Sequence, residues 1–567
     1  MNYQDYYHVW CKTAPLSEAG VRILKEMASD EDEMKAAFGA ELQFGTAGIR
    51  GIMGLGTNRL NDFTVRRTAQ GLAAWLVSTD LPKKCAIGYD SRHHSDRFAQ
   101  VCAVALAEKG IKVYVYHELA PTPMLSYAVC QLGCGCGIVV SASHNAGAYN
   151  GIKCYGPDGC QMTDEPAAIV YHEISQIPYF VMPTLTFEEC LAEGKIELIA
   201  QDLWESYYQT VLAERIAQEP SDNLNLLYTP LCGTGNKPVR KVLNTIGVNV
   251  DIVKVQELPD GDFKTCEYPN PETDAALNES YKIAREMHPD LILGTDPDCD
   301  RVAVAIPEGD GFRKLSGNEL GCLLLDYILG ELSAQGKLPD EPVAVRSIVS
   351  TPLADKIAEK YGVKMKSVLT GFKYIGGEIL ALEEKGEEDR FVFGFEESCG
   401  YLKGTYARDK DAVVASMLTC DLAAKLKREG MNLAQKMDAL YAELGYHEAK
   451  VISIELKGPN AMELSAKFMA DFRANVPSAL CGIPVTTFTD YSTRVTRDMV
   501  SGEESAVLLP KSNVVTLVLG DKGSVIVRPS GTEPKVKLYL TAVDLDKNAA
   551  KNLLASLVEA MNAFVPQ

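Results

Sequence analysis

The sequence predicts an α/β protein: three similar α/β domains with mixed, largely parallel sheets plus a C-terminal α+β domain, around a central cleft. Two observations predict this fold class. A strand–helix–strand pattern occurs three times along the chain, and the C-terminal stretch contains adjacent strands followed by an amphipathic helix. The chain has 567 residues, which is too long for one hydrophobic core and indicates several domains.

The three repeated patterns have apolar strands and helices that end in glycine. Apolar residues throughout a strand are typical of a parallel sheet that is buried on both faces, and glycine is a common helix stop. In the first repeat the predicted strand, helix and strand are 85–90, 96–110 and 111–116. In the second they are 224–229, 236–247 and 248–255, and in the third 341–350, 352–362 and 363–369.

The C-terminal stretch has a different pattern. Residues 513–531 read as two strands joined by a DKGS turn, 535–543 as a third strand, and 547–564 as a closing helix. Helical segments near 200–220 and 418–440 connect the units. We therefore expect domains at 1–205, 206–318, 319–440 and 441–567.

Composition restricts the partners and the location. The net charge is −20 and the pI is near 5.0, so nucleic acid is an unfavourable partner. No apolar run is long enough to span a membrane, and we expect no membrane association. The N-terminal residues lack the features of a signal peptide, and the 16 cysteines are scattered, so we expect reduced thiols and a cytoplasmic location.

The segment SASHNAGAYNGIK (141–153) follows an apolar strand at 136–140. Such a segment is often only a polar turn. However, sites in α/β folds lie at the carboxyl ends of strands, which makes Ser143 a candidate nucleophile. His144 and Lys153 are then candidates for moving protons.

The segment GTDPDCDR (294–301) places three aspartates at alternating positions after another apolar strand. An EF-hand loop that begins at Asp296 would need glycine and glutamate where the chain has Arg301 and Pro307, so that alternative is excluded. A solvated acidic turn stays possible. Asp296, Asp298 and Asp300 favour Mg²⁺ beside a phosphoryl group that Arg301 also binds.

Three further loops have weaker signals. Glu396, Glu397 and Ser398 follow a strand and suit the hydroxyls of a sugar, with Lys410 as a nearby cation; an exposed acidic turn is the alternative. A glycine-rich turn upstream holds Thr370 and Lys373. The segment 44–54 has four glycines around Arg50, but it lacks the GxxxxGK[ST] pattern of a P-loop.

The segment RPSGTEPK (528–535) combines cations and hydroxyls around a glycine between two apolar strands. Glycine lets the backbone approach an anion, the hydroxyls donate hydrogen bonds, and arginine donates in bidentate fashion. The alternative is a polar hairpin turn, but the flanking Arg528 and Lys535 favour a phosphate cradle.

Together and in this order, the serine, DxDxDR, GFEES and RPSGTEP loops resemble those of the α-D-phosphohexomutase superfamily, and GFEES followed by RDKDA is similar to its long glucomutase branch. The resemblance covers essentially the whole chain. It implies a phosphoserine domain, a metal-binding domain, a sugar-binding domain and a phosphate-binding domain. It also implies that the catalytic residues are Ser143, His144, Lys153 and Arg50. The implied Mg²⁺ ligands are Ser143, Asp296, Asp298 and Asp300. The implied substrate-binding residues are Arg301, Thr370, Gly371, Glu396, Ser398, Lys410, Arg528, Ser530, Gly531 and Thr532.

The resemblance further implies reversible conversion of glucose 1-phosphate to glucose 6-phosphate, with glucose 1,6-bisphosphate as activator and intermediate. The partner would be a small-molecule sugar phosphate, and the chain a monomer or weak dimer. Phosphopentomutase or phosphomannomutase activity is the alternative within this class; a phosphatase or a sugar-phosphate sensor is the alternative outside it. The family loop usually reads TASHNP, whereas this chain has Ser141 and Ala146. Ser141 keeps the hydroxyl, but Ala146 lacks the fixed φ of proline, so we expect a more mobile serine loop.

Overall fold

The computed structural model describes residues 2–45, 48–456, 461–530 and 535–564. In this part of the chain, four large sheets occur in sequence order, together with one two-stranded ribbon. The first three sheets mix parallel and antiparallel pairs, and the fourth is antiparallel throughout. The predicted fold class is confirmed, whereas the boundaries between the four units stay predictions.

Three short helices precede the first sheet. Each begins at a residue whose side chain accepts a hydrogen bond from a backbone N–H of the first turn, which satisfies an otherwise unpaired donor. Trp10 is 1% exposed and packs edge-on against Phe38, Phe63 and Phe180. The helices are α1 (Tyr3–Thr13), α2 (Glu18–Met27) and α3 (Glu31–Phe38).

The first sheet has six strands in the order β1-β5-β4-β2-β3-β6. The predicted strand–helix–strand at 85–116 corresponds to β2, α5 and β3, and Gly110 after the helix has a φ of 78°. The elements are β1 (Gly48–Ile52), α4 (Asp62–Ser78), β2 (Lys84–Tyr89), α5 (Ser95–Ala107), β3 (Lys112–Val115), α6 (Thr122–Gln131), β4 (Cys136–Val140), β5 (Tyr149–Tyr155), α7 (Asp164–Gln176), α8 (Phe187–Ala192), β6 (Ile196–Leu198) and α9 (Gln201–Ala213).

The second sheet has the order β11-β10-β9-β7-β8. Its predicted strand–helix–strand corresponds to β7, α10 and β8, and the two strands pair in parallel. β7 is buried, whereas β8 is a partly exposed edge strand. The elements are β7 (Asn225–Thr229), α10 (Asn236–Thr245), β8 (Asn249–Ile252), α11 (Asn278–Met287), β9 (Leu291–Thr295), β10 (Val302–Glu308) and β11 (Gly311–Leu315).

The third sheet has the order β13-β12-β14-β15, and its predicted strand–helix–strand corresponds to β12, α13 and β13. Two long helices, α15 and α16, then lead to the fourth unit. The elements are α12 (Gly317–Ala334), β12 (Val343–Ser347), α13 (Leu353–Lys360), β13 (Lys364–Val368), α14 (Phe372–Glu383), β14 (Phe391–Glu396), β15 (Gly400–Leu402), α15 (Ala412–Arg428) and α16 (Leu433–Leu444).

The fourth sheet has seven strands in the order β16-β24-β23-β22-β19-β20-β21. The predicted hairpin corresponds to β22 and β23, followed by β24 and the closing helix α18. The elements are β16 (Tyr446–Glu455), α17 (Ala461–Ala474), β17 (Ala479–Leu480), β18 (Ile483–Pro484), β19 (Thr487–Asp490), β20 (Val495–Asp498), β21 (Glu504–Ala506), β22 (Val515–Val518), β23 (Gly523–Pro529), β24 (Lys535–Asp544) and α18 (Lys547–Asn562).

One apolar core runs through parts of all of the first three units, and each of these units also has a separate apolar cluster. It includes Trp204 of the first unit, Leu293 of the second and Phe393 of the third. The fourth unit has its own core, between its sheet and helices α17 and α18. A small cluster joins the third and fourth units and includes Leu369 and Tyr539. No helix in the described part of the chain is both long and apolar enough to cross a bilayer.

Candidate active site

Three functional loops occupy the same topological place in the first three sheets. Each follows a parallel strand that also pairs with the antiparallel strand after the loop: β4 with β5, β9 with β10, and β14 with β15. Each loop contains a non-glycine residue in the left-handed region: Ser143 (φ 52°), Cys299 (φ 54°) and Cys399 (φ 64°). Such a backbone is costly for these residues, so the surrounding contacts hold each loop in one sharp turn.

The three loops and the fourth sheet line one cleft of about 1000 Å³. Most of the predicted site residues line it: Arg50, Ser143, His144, Lys153, Asp300, Arg301, Thr370, Gly371, Glu396, Ser398, Lys410 and Arg528. Asp296 and Asp298 lie behind this surface with no exposed area. Ser530 follows β23, where its N–H donates to the carbonyl of Lys535 at 2.8 Å. Gly531 and Thr532 lie outside the described residues.

Ser143 faces the metal loop across the boundary between the first two units. Its Oγ donates to Oδ2 of Asp296 at 3.1 Å and lies 3.2 Å from Nδ1 of His144. Its backbone N–H donates to Oγ of Ser141 at 2.8 Å, and the Ser141 hydroxyl donates to Asp90 at 2.6 Å. The hydroxyl at position 141 therefore fixes the backbone of the candidate nucleophile.

The three aspartates form a compact acidic group. Their carboxylate oxygens lie within 4.8 Å of one another. Oδ1 of Asp298 and Oδ1 of Asp300 are buried without a hydrogen-bond partner in the described part of the chain. Burial, and then the charges of these two neighbours, raises the pKa of Asp296 well above its ordinary value. Buried carboxylates with unused oxygens fit a hard divalent cation such as Mg²⁺.

Two lysines compensate part of this negative charge. Nζ of Lys153 lies 2.6 Å from Asp298 and 3.4 Å from Asp300, and Nζ of Lys410 lies 3.1 Å from Asp300. Burial lowers the pKa of Lys153, but the two carboxylates outweigh burial and raise it above its ordinary value. Both lysines are therefore ammonium ions, which can bind phosphate oxygens or donate a proton.

His144 has the opposite protonation state. Burial, followed by the charges of Arg301 and Arg50, holds the pKa of His144 well below its ordinary value. Its imidazole is therefore neutral at pH 7. A neutral imidazole beside a hydroxyl can accept a proton. The site therefore contains a proton acceptor, His144 on the serine loop, and a proton donor, Lys153 on β5.

The third loop presents polar groups to the cleft. Oε1 of Glu396 accepts a hydrogen bond from the backbone N–H of Gly371 at 2.7 Å. Oγ1 of Thr370 is buried without a hydrogen-bond partner in the described residues. The carbonyl of Ser398 accepts from Arg301 at 3.3 Å. An unused hydroxyl beside a carboxylate suits a ligand rich in hydroxyl groups, such as a sugar.

The fourth unit adds cations to the cleft. Arg528 on β23 is directly opposite Lys537 on β24 in the register, and both side chains line the cleft with Tyr539. Like charges directly opposite each other in a sheet are unfavourable unless an anion lies between them. This pair therefore fits a phosphate group.

Lys537 and Glu272 are two charged cleft residues that no sequence motif predicted. Lys537 alternates with Lys535 in the segment KVKLYL, and this same-face spacing was the available signal. Glu272 forms an ion pair with Arg301 at 2.5 Å. It comes from the loop between β8 and α11, and no motif around it indicated a site.

Ser143 beside three buried carboxylates, with lysines and arginines around the same cleft, fits an enzyme that transfers phosphoryl groups. Four family models match the chain in the order of its units. They describe phosphoglucomutase/phosphomannomutase alpha/beta/alpha domains I, II and III and the C-terminal domain, at residues 41–179, 205–309, 316–444 and 494–560. The chain belongs to the phosphoglucomutase/phosphomannomutase family.

Similar proteins support this assignment. A phosphoglucomutase of Staphylococcus aureus is 35% identical over 549 residues, which are 96% of this chain and 97% of that protein. A phosphoglucomutase of Staphylococcus epidermidis is 36% identical over 515 residues, 90% of this chain and 92% of that protein.

Solved structures share the fold. A putative phosphomannomutase from Thermus thermophilus has a TM-score of 0.67 at 22% identity and covers 93% of this chain and 99% of its own. The open form of a phosphoglucomutase from Paramecium has a TM-score of 0.66 at 18% identity, and the match covers 93% of this chain and 97% of that protein.

Proposed function

We propose that this chain catalyses the phosphoglucomutase reaction, the reversible conversion of α-D-glucose 1-phosphate to glucose 6-phosphate. One observation carries the proposal: a single cleft brings Ser143 to 3.1 Å from Asp296 and also contains the Arg528–Lys537 pair of the fourth unit. A site with a reacting serine at one end and an anion site at the other suits a substrate that carries two phosphates during turnover.

In the first half of the reaction, a phosphate on Ser143 passes to a hydroxyl of the bound sugar phosphate. The bond from phosphorus to the sugar oxygen forms, the bond from phosphorus to Oγ of Ser143 breaks, and the hydroxyl proton leaves the sugar. Neutral His144 can accept this proton, and charged Lys153 can supply one to the leaving oxygen. Mg²⁺, held by Asp296, Asp298, Asp300 and a phosphate oxygen on Ser143, would neutralise charge on the transferring group.

In the second half, glucose 1,6-bisphosphate turns over and returns its other phosphate to Ser143. The phosphate that is not reacting must be bound in both orientations. Arg528 and Lys537, with Ser530, Gly531 and Thr532, are proposed to bind either phosphate, while Thr370, Glu396, Ser398 and Lys410 bind the sugar. Arg50 and Arg301 would lie beside the transferring group.

The cellular setting is also a proposal. All 16 cysteines are free thiols, as in proteins of a reducing compartment, which supports a cytoplasmic location. The partner is a small-molecule sugar phosphate, and we propose a monomer or weak dimer that binds neither nucleic acid nor membrane.

The test is an isomerase assay with Mg²⁺ and a trace of glucose 1,6-bisphosphate. Glucose 1-phosphate, mannose 1-phosphate and ribose 1-phosphate are offered separately, and kcat/KM is compared. We expect the highest value for glucose 1-phosphate. A preference for mannose or ribose phosphate would move the enzyme to phosphomannomutase or phosphopentomutase activity, and release of inorganic phosphate without an isomer would indicate a phosphatase. No reaction with any of the three would favour the sensor.

Ser143→Ala provides the control for the nucleophile. We expect a folded protein whose turnover is lower by several orders of magnitude, because the covalent route is lost. Turnover near that of wild type would refute the assignment of Ser143.

A further inference from the structure

We propose that Arg92 is a positioning residue that holds the serine loop (141–149) in its reactive conformation. This inference rests on the proposed function, because it concerns the loop that carries Ser143. Arg92 is 3% exposed, does not line the cleft, and belongs to none of the four motifs. Its guanidinium lies beneath the loop and binds the backbone at four positions.

Among the residues that the structure describes, the guanidinium donates hydrogen bonds only to carbonyl oxygens of this loop. Nη2 donates to the carbonyl of Ser143 at 2.6 Å and to that of Asn145, and Nη1 donates to the carbonyls of Ala146 at 2.8 Å and Tyr149 at 2.9 Å. A planar guanidinium can satisfy several fixed acceptors at once, whereas a lysine presents a single point charge. One side chain therefore binds the loop at Ser143, in its middle and at its last residue, Tyr149.

Arg92 is itself held from two sides. Its Nε lies 3.3 Å from Asp90, and the same carboxylate accepts from Ser141, whose Oγ binds the N–H of Ser143. On its other side, the guanidinium lies over the ring of Phe263, 5.0 Å from the ring centre. Phe263 is 2% exposed and comes from the second unit.

The segment around Phe263 also contacts the serine loop through its backbone. A Cβ added at Gly147 would lie 2.6 Å from the carbonyl oxygen of Gly261, so the two segments are in direct backbone contact. Asp262 lies 2.6 Å from Nε2 of His93, next to Arg92. The metal-binding unit thus covers the residue that orders the serine loop.

The loop needs this support in addition to the hydrogen bond from the N–H of Ser143 to Oγ of Ser141. Ser143 has a φ of 52°, which is unfavourable for a serine, and the segment 141–149 contains no proline. Asn145 also accepts a hydrogen bond from Arg50 at 3.0 Å, so the loop positions a second cleft residue. A loop that shifted would misplace Ser143 and Arg50 together.

The position of the loop decides between two fates of a phosphoserine. In productive transfer, a sugar oxygen attacks phosphorus. In hydrolysis, a water oxygen attacks, the bond from phosphorus to Oγ breaks, inorganic phosphate leaves, and a proton from the water returns to Oγ. Loss of order in the loop should favour water, because water needs no defined orientation.

The experiment compares Arg92→Lys with Arg67→Lys. Arg67 is a matched control in the same unit: its guanidinium also donates to backbone carbonyls, pairs with an acid, and stacks on Tyr179 at 4.2 Å, but its carbonyl partners lie at 175–177. For each variant we measure kcat, KM for glucose 1-phosphate, and the ratio of phosphate release to isomerisation. Phe263→Leu removes only the ring over Arg92 and provides a milder second variant.

We expect Arg92→Lys to lower kcat by about 10- to 100-fold with KM close to that of wild type, and to raise the ratio of phosphate release to isomerisation. Phe263→Leu should change both in the same direction by less, and Arg67→Lys should change neither. The proposal is overturned if Arg92→Lys keeps the wild-type ratio, or if it matches Arg67→Lys. If Arg92→Lys does not fold, an unchanged ratio in Phe263→Leu overturns it. Failure of the proposed function would differ, because wild type itself would not isomerise glucose 1-phosphate.

Discussion

Glu397 should make the protein less stable as the pH rises through neutrality. The carboxylate lies beside Glu396 at the end of β14, and it accepts hydrogen bonds from Ser347 at 3.0 Å and more weakly from Ser350 at 3.5 Å. Burial, and then the charge of Glu396, raises the pKa of Glu397 from 4.5 to about 7. The folded chain therefore binds this proton more tightly than the unfolded chain does.

The sign and size of the effect follow from this difference. The stabilisation by protonation is fully present below pH 4.5 and is lost as the pH rises through 7. A difference of about 2.5 pKa units corresponds to at most about 3 kcal/mol, since each unit contributes about 1.4 kcal/mol. Glu397→Gln, which stays neutral, should therefore be more stable than wild type at pH 8 by up to this amount, and equally stable at pH 4.5.

The assay is thermal unfolding of wild type and Glu397→Gln across this pH range. Because the first three units share one core, we expect them to unfold together, and about 3 kcal/mol then raises the midpoint by about 3 °C at pH 8. Glu384→Gln is the control, since Glu384 is an exposed glutamate of the same unit. A difference between wild type and Glu397→Gln that does not change with pH, or a destabilised variant at pH 8, would refute the reasoning.

Three further outcomes are expected. Lys537→Met should raise KM for glucose 1-phosphate by about 10- to 100-fold, because a charged hydrogen bond to phosphate is lost. Lys467→Met, a change of an exposed lysine in the same unit, is the control. Equal KM values for the two variants would exclude Lys537 from the phosphate site. Asp298→Asn should weaken Mg²⁺ binding at least about tenfold in a calorimetric titration, and unchanged binding would argue against the acidic group as the metal site. Trp10→Ala should destabilise the N-terminal helices by about 3–5 kcal/mol in denaturant unfolding. An unchanged transition would show that its contacts with Phe38, Phe63 and Phe180 add little.

Each loop of the site could be predicted from the sequence because the residues within one loop are neighbours in the chain. Ser143 and Asp296 follow apolar strands, and the carboxyl ends of such strands are where sites form. The repeated strand–helix–strand pattern then predicted three sheets that present these loops in the same way. Both predictions depend on local order along the chain, which a single sequence records directly.

Other contacts could not be predicted because they depend on how separate segments meet. Arg92 lies 51 residues before Ser143, and its ring partner Phe263 belongs to another unit. The sequence indicates only that Lys537 lies in a predicted strand. Its register opposite Arg528 places it beside the phosphate-binding candidate in the cleft. Ala146 predicts a more mobile serine loop when the sequence is considered alone. In the structure, Arg92 donates a hydrogen bond to the carbonyl of Ala146 at 2.8 Å, a contact that the sequence does not reveal.

The distribution of the cores determines where the enzyme can change shape. Thr122 of the first unit donates from its backbone N–H to the carbonyl of Asp298 at 2.9 Å, and its hydroxyl donates to the carboxylate at 3.1 Å, so the first two units form one hydrogen-bonded block at the metal loop. The fourth unit packs around a separate core and meets this block through a small cluster. If glucose 1,6-bisphosphate turns over in this cleft as proposed, movement of the fourth unit would give it room, and that unit carries Arg528 and Lys537, the cations proposed to bind the idle phosphate. The distance between Arg528 and Ser143 would then vary during each cycle, while the chemistry at Ser143 keeps a fixed geometry.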